Sequence, residues 1–274
     1  MFDEWTGAKG MNMTKSTQPA DNQFQPQRSF DDAAQARVYL KSRLCGAFWH
    51  FASLGFDEGI AGIVTVRDPE DVNTFWTNPI TVPFAHMTPD QLIRVDGATG
   101  LTVEGEGVVN LPAFSIHAEI HAARPDTQAA IHLHTTYGRA YSSLGKLLEP
   151  ITQDHTAFFE DHAIFDDFTG IVFDRVEGKQ IAAALGDCKG VILQNHGLVA
   201  VAETLDAAVW WFTIFDTCCH ISLLAEAAGN PVPLDDDVAR LTAEQIGNHQ
   251  VGYASAQRLL ARAVGARTNI GDRS

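Results

Sequence analysis

Basic side chains are scarce in this sequence: 19 lysines and arginines stand against 34 acidic residues in 274, a formal charge of -15. Phosphate backbones and anionic membrane surfaces are bound by clustered positive charge, so nucleic acid and membrane lipid are excluded as general partners. Cysteine is scarce too. Cys45, Cys188, Cys218 and Cys219 form no C-x-x-C pair and no regular framework, which excludes a disulfide scaffold and suits buried thiols in a reducing, cytoplasmic compartment. Long hydrophobic runs are lacking: the most apolar stretch, Ala207 to Phe215, is bounded by Asp206 and Asp216 and falls far short of the ~20 residues a membrane span needs. Residues 1–29 have no signal-peptide core and read as a loose tail rich in Gln, Pro, Ser and Asn. What remains, 45% hydrophobic and 9% aromatic, has the composition of a packed protein. No Pro/Gly/Ser-rich linker divides residues 30–265, so one α/β domain is expected there, with a short tail over 266–274.

Apolar residues at helical spacing predict a helix over 31–54, with Ser29 available as cap and Gly55 placed to end it. Short β-rich runs follow (GIAGIVTVRD, TFWTNPITVPF, LIRVDG, LTVEGEGVV), separated by turn residues. Helix is then expected over 115–124 and 137–144, strand over 129–133, 190–193 and 198–201. A helix over 204–228 is apolar around most of its circumference and should be buried in the core or against another subunit; its Trp210-Trp211-Phe212 cannot all face one way. A last helical region spans 237–264.

Six of the 11 histidines (His117, His121, His132, His134, His155, His162) fall within 46 residues. His132 and His134 form H-x-H, and the period of two along a strand sends both imidazoles to one face. Two such rings can share a divalent cation, or they can be polar residues on a solvated face. His196, between a buried-looking strand and a Gly turn, is a third candidate, at the kind of strand end on which α/β sites are built. In H-A-E-I-H, Glu119 lies about 200° round a helix from His117, so this is no zincin motif; a structural part is expected for His117 and an exposed one for His121.

The segments FSIHAEIHAARPDTQAAIHLHTTYGRAYSSLG, PITQDHTAFFEDHAIFDDFTGIV and GVILQNHGLVAVAETLDAAVWWF carry R-P-D, H-x-H and N-H-G-L in the order and spacing of the class II aldolase and adducin head-domain family, which the chain resembles from about Phe30 to about Gly229. The resemblance implies a single three-layer α/β/α domain with a central, mostly antiparallel sheet. It also implies a homotetramer and a divalent ion on His132, His134 and His196, zinc first, with Mn²⁺, Fe²⁺ or Co²⁺ as alternatives. Two family features are absent. The carboxylate acid/base of the sugar-phosphate aldolases, 19 residues before the first metal histidine, is Ala113 here. The phosphate loop reads Gly62-Ile63-Val64-Thr65 and the turn after it Pro79-Ile80-Thr81. A sugar phosphate is therefore a poor substrate, and the sequence falls nearer the adducin-like branch, which includes bacterial decarboxylases of aromatic acids and non-heme iron oxygenases.

A bound divalent ion stabilises the enolate left when an adjacent carbon–carbon bond breaks, the intermediate shared by retro-aldol cleavage and decarboxylation. Decarboxylation needs only a donor to reprotonate carbon, so the missing carboxylate weighs less against it. The leading expectation is a metal-dependent carbon–carbon lyase acting on a small hydroxylated carboxylic or oxo acid. His155, His162 and Tyr137 are the candidate proton donors, and Glu160, Asp161 and Asp166 candidates to orient an imidazole. An iron oxygenase on the same three histidines is the first alternative and a non-catalytic adducin-like interaction module the second.

Overall fold

The computed structural model describes residues 27–170 and 175–271; most of the tail expected over 1–29 lies outside them. Helix α1 (Ala33–Ser53) starts at Asp32, whose carboxylate accepts from the Ala34 N–H, so the cap is Asp32 and not Ser29. After Leu54 the chain turns at Gly55, whose φ of 74° suits a residue without a Cβ. Strands β1 (Ile63–Arg67), β2 (Thr74–Thr77), β3 (Ile93–Asp96) and β4 (Thr102–Glu104) form an antiparallel meander. Helix α2 (Leu111–Ala123) begins four residues before the expected start, because Asn110 caps it and Pro112 needs no partner for its missing N–H in the first turn. Strand β5 (Ala129–Leu133), helix α3 (Thr136–Ser142), strand β6 (His162–Phe165), helix α4 (Arg175–Leu185), strands β7 (Gly190–Leu193) and β8 (Gly197–Ala202) and helix α5 (Leu205–Ala228) follow. The last helical region is two helices, α6 (Asp236–Ile246) and α7 (His249–Gly271), broken at Gly247-Asn248. The boundary expected at 265 thus falls inside α7.

The eight strands form one sheet in the order β4-β3-β2-β1-β5-β8-β7-β6; every pairing is antiparallel except β6 with β7. Alternation along the strands divides it into two faces. Ile131 and Leu133 of β5 and Leu198 and Ala200 of β8 join the core formed by α1 and α5, while Ala130, Val199 and Val201 face α2 and α4. The result is three layers. Helix α5 is long and apolar enough to cross a membrane, but 61% of its most apolar stretch is buried inside the fold. Trp211 and Phe212 are buried and Trp210 packs at the edge of the same core, so the apolarity of α5 is that of a central helix.

Directly after β1 the buried carboxylate of Asp68 accepts from Arg37 Nε (2.7 Å) and Nη2 (2.8 Å), Trp76 Nε1 (2.7 Å) and the N–H groups of Glu70 and Asp71. Burial works against its charge, but these donors outweigh burial and hold its pKa well below the usual carboxylate range. This network ties α1 to the first half of the sheet.

Candidate metal centre

His132 is the fourth residue of β5 and His134 follows two positions on, so the pleat directs both to the α2 side of the sheet. His196 arrives from the β7–β8 hairpin. That hairpin is closed by Gln194-Asn195-His196, with Asn195 at φ 60°, a conformation asparagine tolerates better than most residues, and the His196 N–H on the Leu193 carbonyl at 3.0 Å. Because β5 pairs with β8 at Leu133 and Leu198, the hairpin end lies beside the end of β5.

The three rings meet there. His134 Nε2 lies 3.2 Å from His132 Nε2 and 3.1 Å from His196 Nε2, and the ring planes cross at 76° to 89°. Nitrogens about 3 Å apart have the spacing of ligands around a first-row divalent ion with bonds of about 2.0–2.1 Å. The chemistry of the donors fits an ion. His132 Nδ1 is 2.9 Å from the Leu198 carbonyl, which can only accept, so Nδ1 carries the proton and the Nε2 lone pair faces the cluster. Burial holds all three imidazoles below their ordinary range, His196 at about 4, and Arg139 adds to the effect on His134. Neutral rings converge their lone pairs, and one proton on His134 cannot serve every contact as one cation can. These three are also the one group of three or more His, Cys, Asp or Glu with metal-ligating geometry among the described residues.

A cavity of about 480 Å³ opens on the cluster. Ile60, Ala61, Pro112, Ala113, Ile116 and Phe168 supply its apolar wall, and Asn110, Asn195 and Arg139 its polar groups beside the histidines. No carboxylate lines it among the described residues, and Ala113, where the aldolase acid/base would stand, is part of the wall.

The expected proton donors lie elsewhere, each packed on α5. His155 is buried, with Nδ1 2.7 Å from Thr152 Oγ1 and Nε2 3.1 Å from the Cys218 carbonyl and 3.0 Å from Ser222 Oγ. His162 donates from Nδ1 to the Phe158 carbonyl (2.6 Å) and accepts the Leu148 N–H at Nε2 (2.9 Å). Tyr137 stacks on His220 with centroids 3.5 Å apart. None of the three lines the cavity. Glu160 pairs with Arg240 and Asp161 with Lys189, so neither orients a cluster imidazole. His121, expected to be exposed, is 2% exposed: α2 packs on β1 and presents both His117 Nδ1 and His121 Nε2 to Thr65 Oγ1 at 2.8 Å.

Two residues that the sequence did not single out hold the cluster's surroundings. Asp216, buried in the middle of α5, accepts the Gly138 N–H at 2.9 Å and a bond from the Thr135 side chain, fixing the first turn of α3 directly after His134. A Cβ on Gly138 would stand 2.5 Å from Thr135 Oγ1 and 2.9 Å from Leu198, so glycine is what lets α3 lie this close. Arg139 follows on the same helix. An acidic residue closing the most apolar run was the available signal for Asp216.

Away from the cluster, burial lowers the pKa of His50 to about 4 and of His117 to about 3, and lowers those of His121, His155 and His162. In the unfolded chain each titrates near about 6.5, so on acidification the unfolded state takes up protons first. Their contribution to stability is intact above about pH 6.5 and is lost progressively toward about pH 4. Thermal melts should show Tm falling steeply between about pH 6.5 and about pH 4; a flat profile would contradict this burial.

Residues 42–223 match the Class II Aldolase and Adducin N-terminal domain. The decarboxylase NovR of Streptomyces niveus is 54% identical over 91% of this chain and 93% of its own length. A protein of Streptomyces roseochromogenus subsp. oscitans, 4-hydroxy-3-prenylphenylpyruvate oxygenase/4-hydroxy-3-prenylbenzoate synthase, is 53% identical over 91% of this chain and 90% of its own. Among solved structures, an L-fuculose 1-phosphate aldolase from Glaciozyma antarctica PI12 superposes with a TM-score of 0.83 at 40% identity, covering 89% of this chain and 96% of that one.

Proposed function

The chain belongs to the class II aldolase and adducin family, and from that premise we propose that it is a divalent-metal enzyme that removes the carboxyl carbon of an aryl 2-oxo acid, with dioxygen as oxidant. The observation that carries the reading is the convergence of His132, His134 and His196 on one point at the end of an apolar cavity. These three residues would hold the ion, and iron is the ion we assign, with zinc, manganese and cobalt as the alternatives the same nitrogens accept. When bound, the ion supplies Lewis acidity and open positions for a chelating oxo acid and for oxygen. The chain does the rest. Leu198 fixes the His132 tautomer, α3 and the β7–β8 hairpin hold His134 and His196, and Ile60, Ile116 and Phe168 give an apolar surface for an aromatic ring while excluding water.

Dioxygen enters through the Streptomyces roseochromogenus relative, an oxygenase, and loss of carbon dioxide through the Streptomyces niveus relative, a decarboxylase. Taking a phenylpyruvate to a benzoate shortens a three-carbon side chain to one carbon. Per substrate that balances as two O₂ consumed, two CO₂ and one water released, so decarboxylation and oxygenation describe one conversion. The lyase expected from sequence is kept in its bond cleavage and revised in its redox chemistry. A non-oxidative lyase is the second reading, favoured by the aldolase-like structure and the decarboxylase-named relative. Four cysteines that form no disulfide, three of them buried, support a reducing, cytoplasmic compartment, and the family supports an oligomer, which we assign as a homotetramer.

Protein reconstituted separately with Fe²⁺, Zn²⁺ and Mn²⁺ and given 4-hydroxy-3-prenylphenylpyruvate should release CO₂ only with iron and only in air. Full turnover under strict anaerobiosis would remove oxygen from the account and leave the non-oxidative lyase.

A further inference from the structure

Arg139 is the one cationic side chain in the wall of the three-histidine cavity among the described residues. Its Nε donates to the Thr135 carbonyl at 3.2 Å, which anchors the root of the guanidinium beside the cluster. Nη2 donates to Glu58 Oε2 at 2.7 Å, and Nη1 bonds to no described residue. The pair with Glu58 faces solvent: the two side chains are 43% and 56% exposed, and ion pairs of that kind are held weakly. The cavity itself has no carboxylate to neutralise a cation, in a chain whose charge is -15. A guanidinium with one free edge, neutral imidazoles and an apolar wall together suit a ligand with an anionic head and an apolar body.

We propose that Arg139 binds the substrate carboxylate, exchanging its surface pair with Glu58 for a two-pronged pair inside the cavity. The assignment rests on the oxo-acid reading above and deepens it: Arg139 selects acids over neutral analogues of the same shape. Glu58 is then the group that occupies the guanidinium while the site is empty, and removing it strengthens binding.

The test is calorimetric binding under anaerobiosis, with metal-loaded protein, of 4-hydroxy-3-prenylphenylpyruvate and its methyl ester. Arg139→Gln should weaken the acid by about 10- to 100-fold, the range of a lost charge-assisted pair, with ester affinity and metal content unchanged. Arg139→Lys should recover part of the loss, and Glu58→Gln should tighten the acid. Equal acid affinity in wild type and Arg139→Gln would overturn the proposal, as would parallel loss for acid and ester or loss of the metal, either of which marks a structural part for Arg139. Wild-type protein that holds its metal and binds neither compound would instead overturn the oxo-acid reading, and this assignment with it.

Discussion

His134→Ala should lower turnover by about 10³-fold or more, because a Lewis acid at the reacting centre is worth several kcal/mol and each 1.36 kcal/mol is a factor of ten. His134 is the middle member of the cluster, its Nε2 within 3.2 Å of both other rings. Removing it leaves two ligands, His132 and His196, whose ring centroids lie 4.8 Å apart. The imidazole is half-buried and lines the cavity, so the variant should fold. Its circular dichroism spectrum should match the wild type while steady-state turnover collapses. Activity within tenfold of wild type would show that the three histidines do not carry the reaction.

Asp216→Ala should weaken metal affinity by about 10- to 100-fold, the usual cost of losing a group that orients ligands from behind. Asp216 touches no cluster histidine. It acts through α3, accepting the Gly138 N–H and the Thr135 side chain so that the turn after His134 has one geometry. Without it Gly138 keeps only Thr135 Oγ1 at 3.1 Å, and His134 loses its fixed direction. Asp216→Asn keeps an acceptor oxygen and should fall between wild type and Asp216→Ala. Competition with a chromogenic chelator measures this directly, and equal affinities in all three proteins would contradict it. Asp216 is buried and its variant loses the bonds to the Gly138 N–H and the Thr135 side chain, so some loss of thermal stability is expected alongside.

The three-histidine cluster was legible through the resemblance to the class II aldolase and adducin family, its local signals fixing directions while leaving a solvated face open as the alternative. H-x-H on a strand fixes two directions by the pleat alone, and Asn-His-Gly marks a turn at a strand end. The core helix α5 was legible from its own pattern, its apolar circumference leaving no exposed face. Strand β6 and helix α4 were not anticipated: His162–Phe165 is a short run among acids and aromatics with no clean alternation, and it becomes a strand through its parallel pairing with β7. His121 looked exposed because its partners, Thr65 and Thr127, come from β1 and the loop before β5. Arg139 and Asp216 escaped notice for a related reason. Their importance lies in how α3 meets α5 and the segment carrying Glu58, which no spacing within one element reveals. Residue type and nearness in sequence make His155 and His162 proton-donor candidates, whereas the fold commits both to backbone and hydroxyl partners along α5 and in the loops beside it.

The most direct test of the account is elemental analysis of protein purified without chelator or histidine tag, alongside His196→Ala. The account predicts about one divalent ion per chain, iron in the active form, and its loss in the variant. Wild-type protein that stays metal-free after reloading, or a variant that keeps its metal, would contradict it.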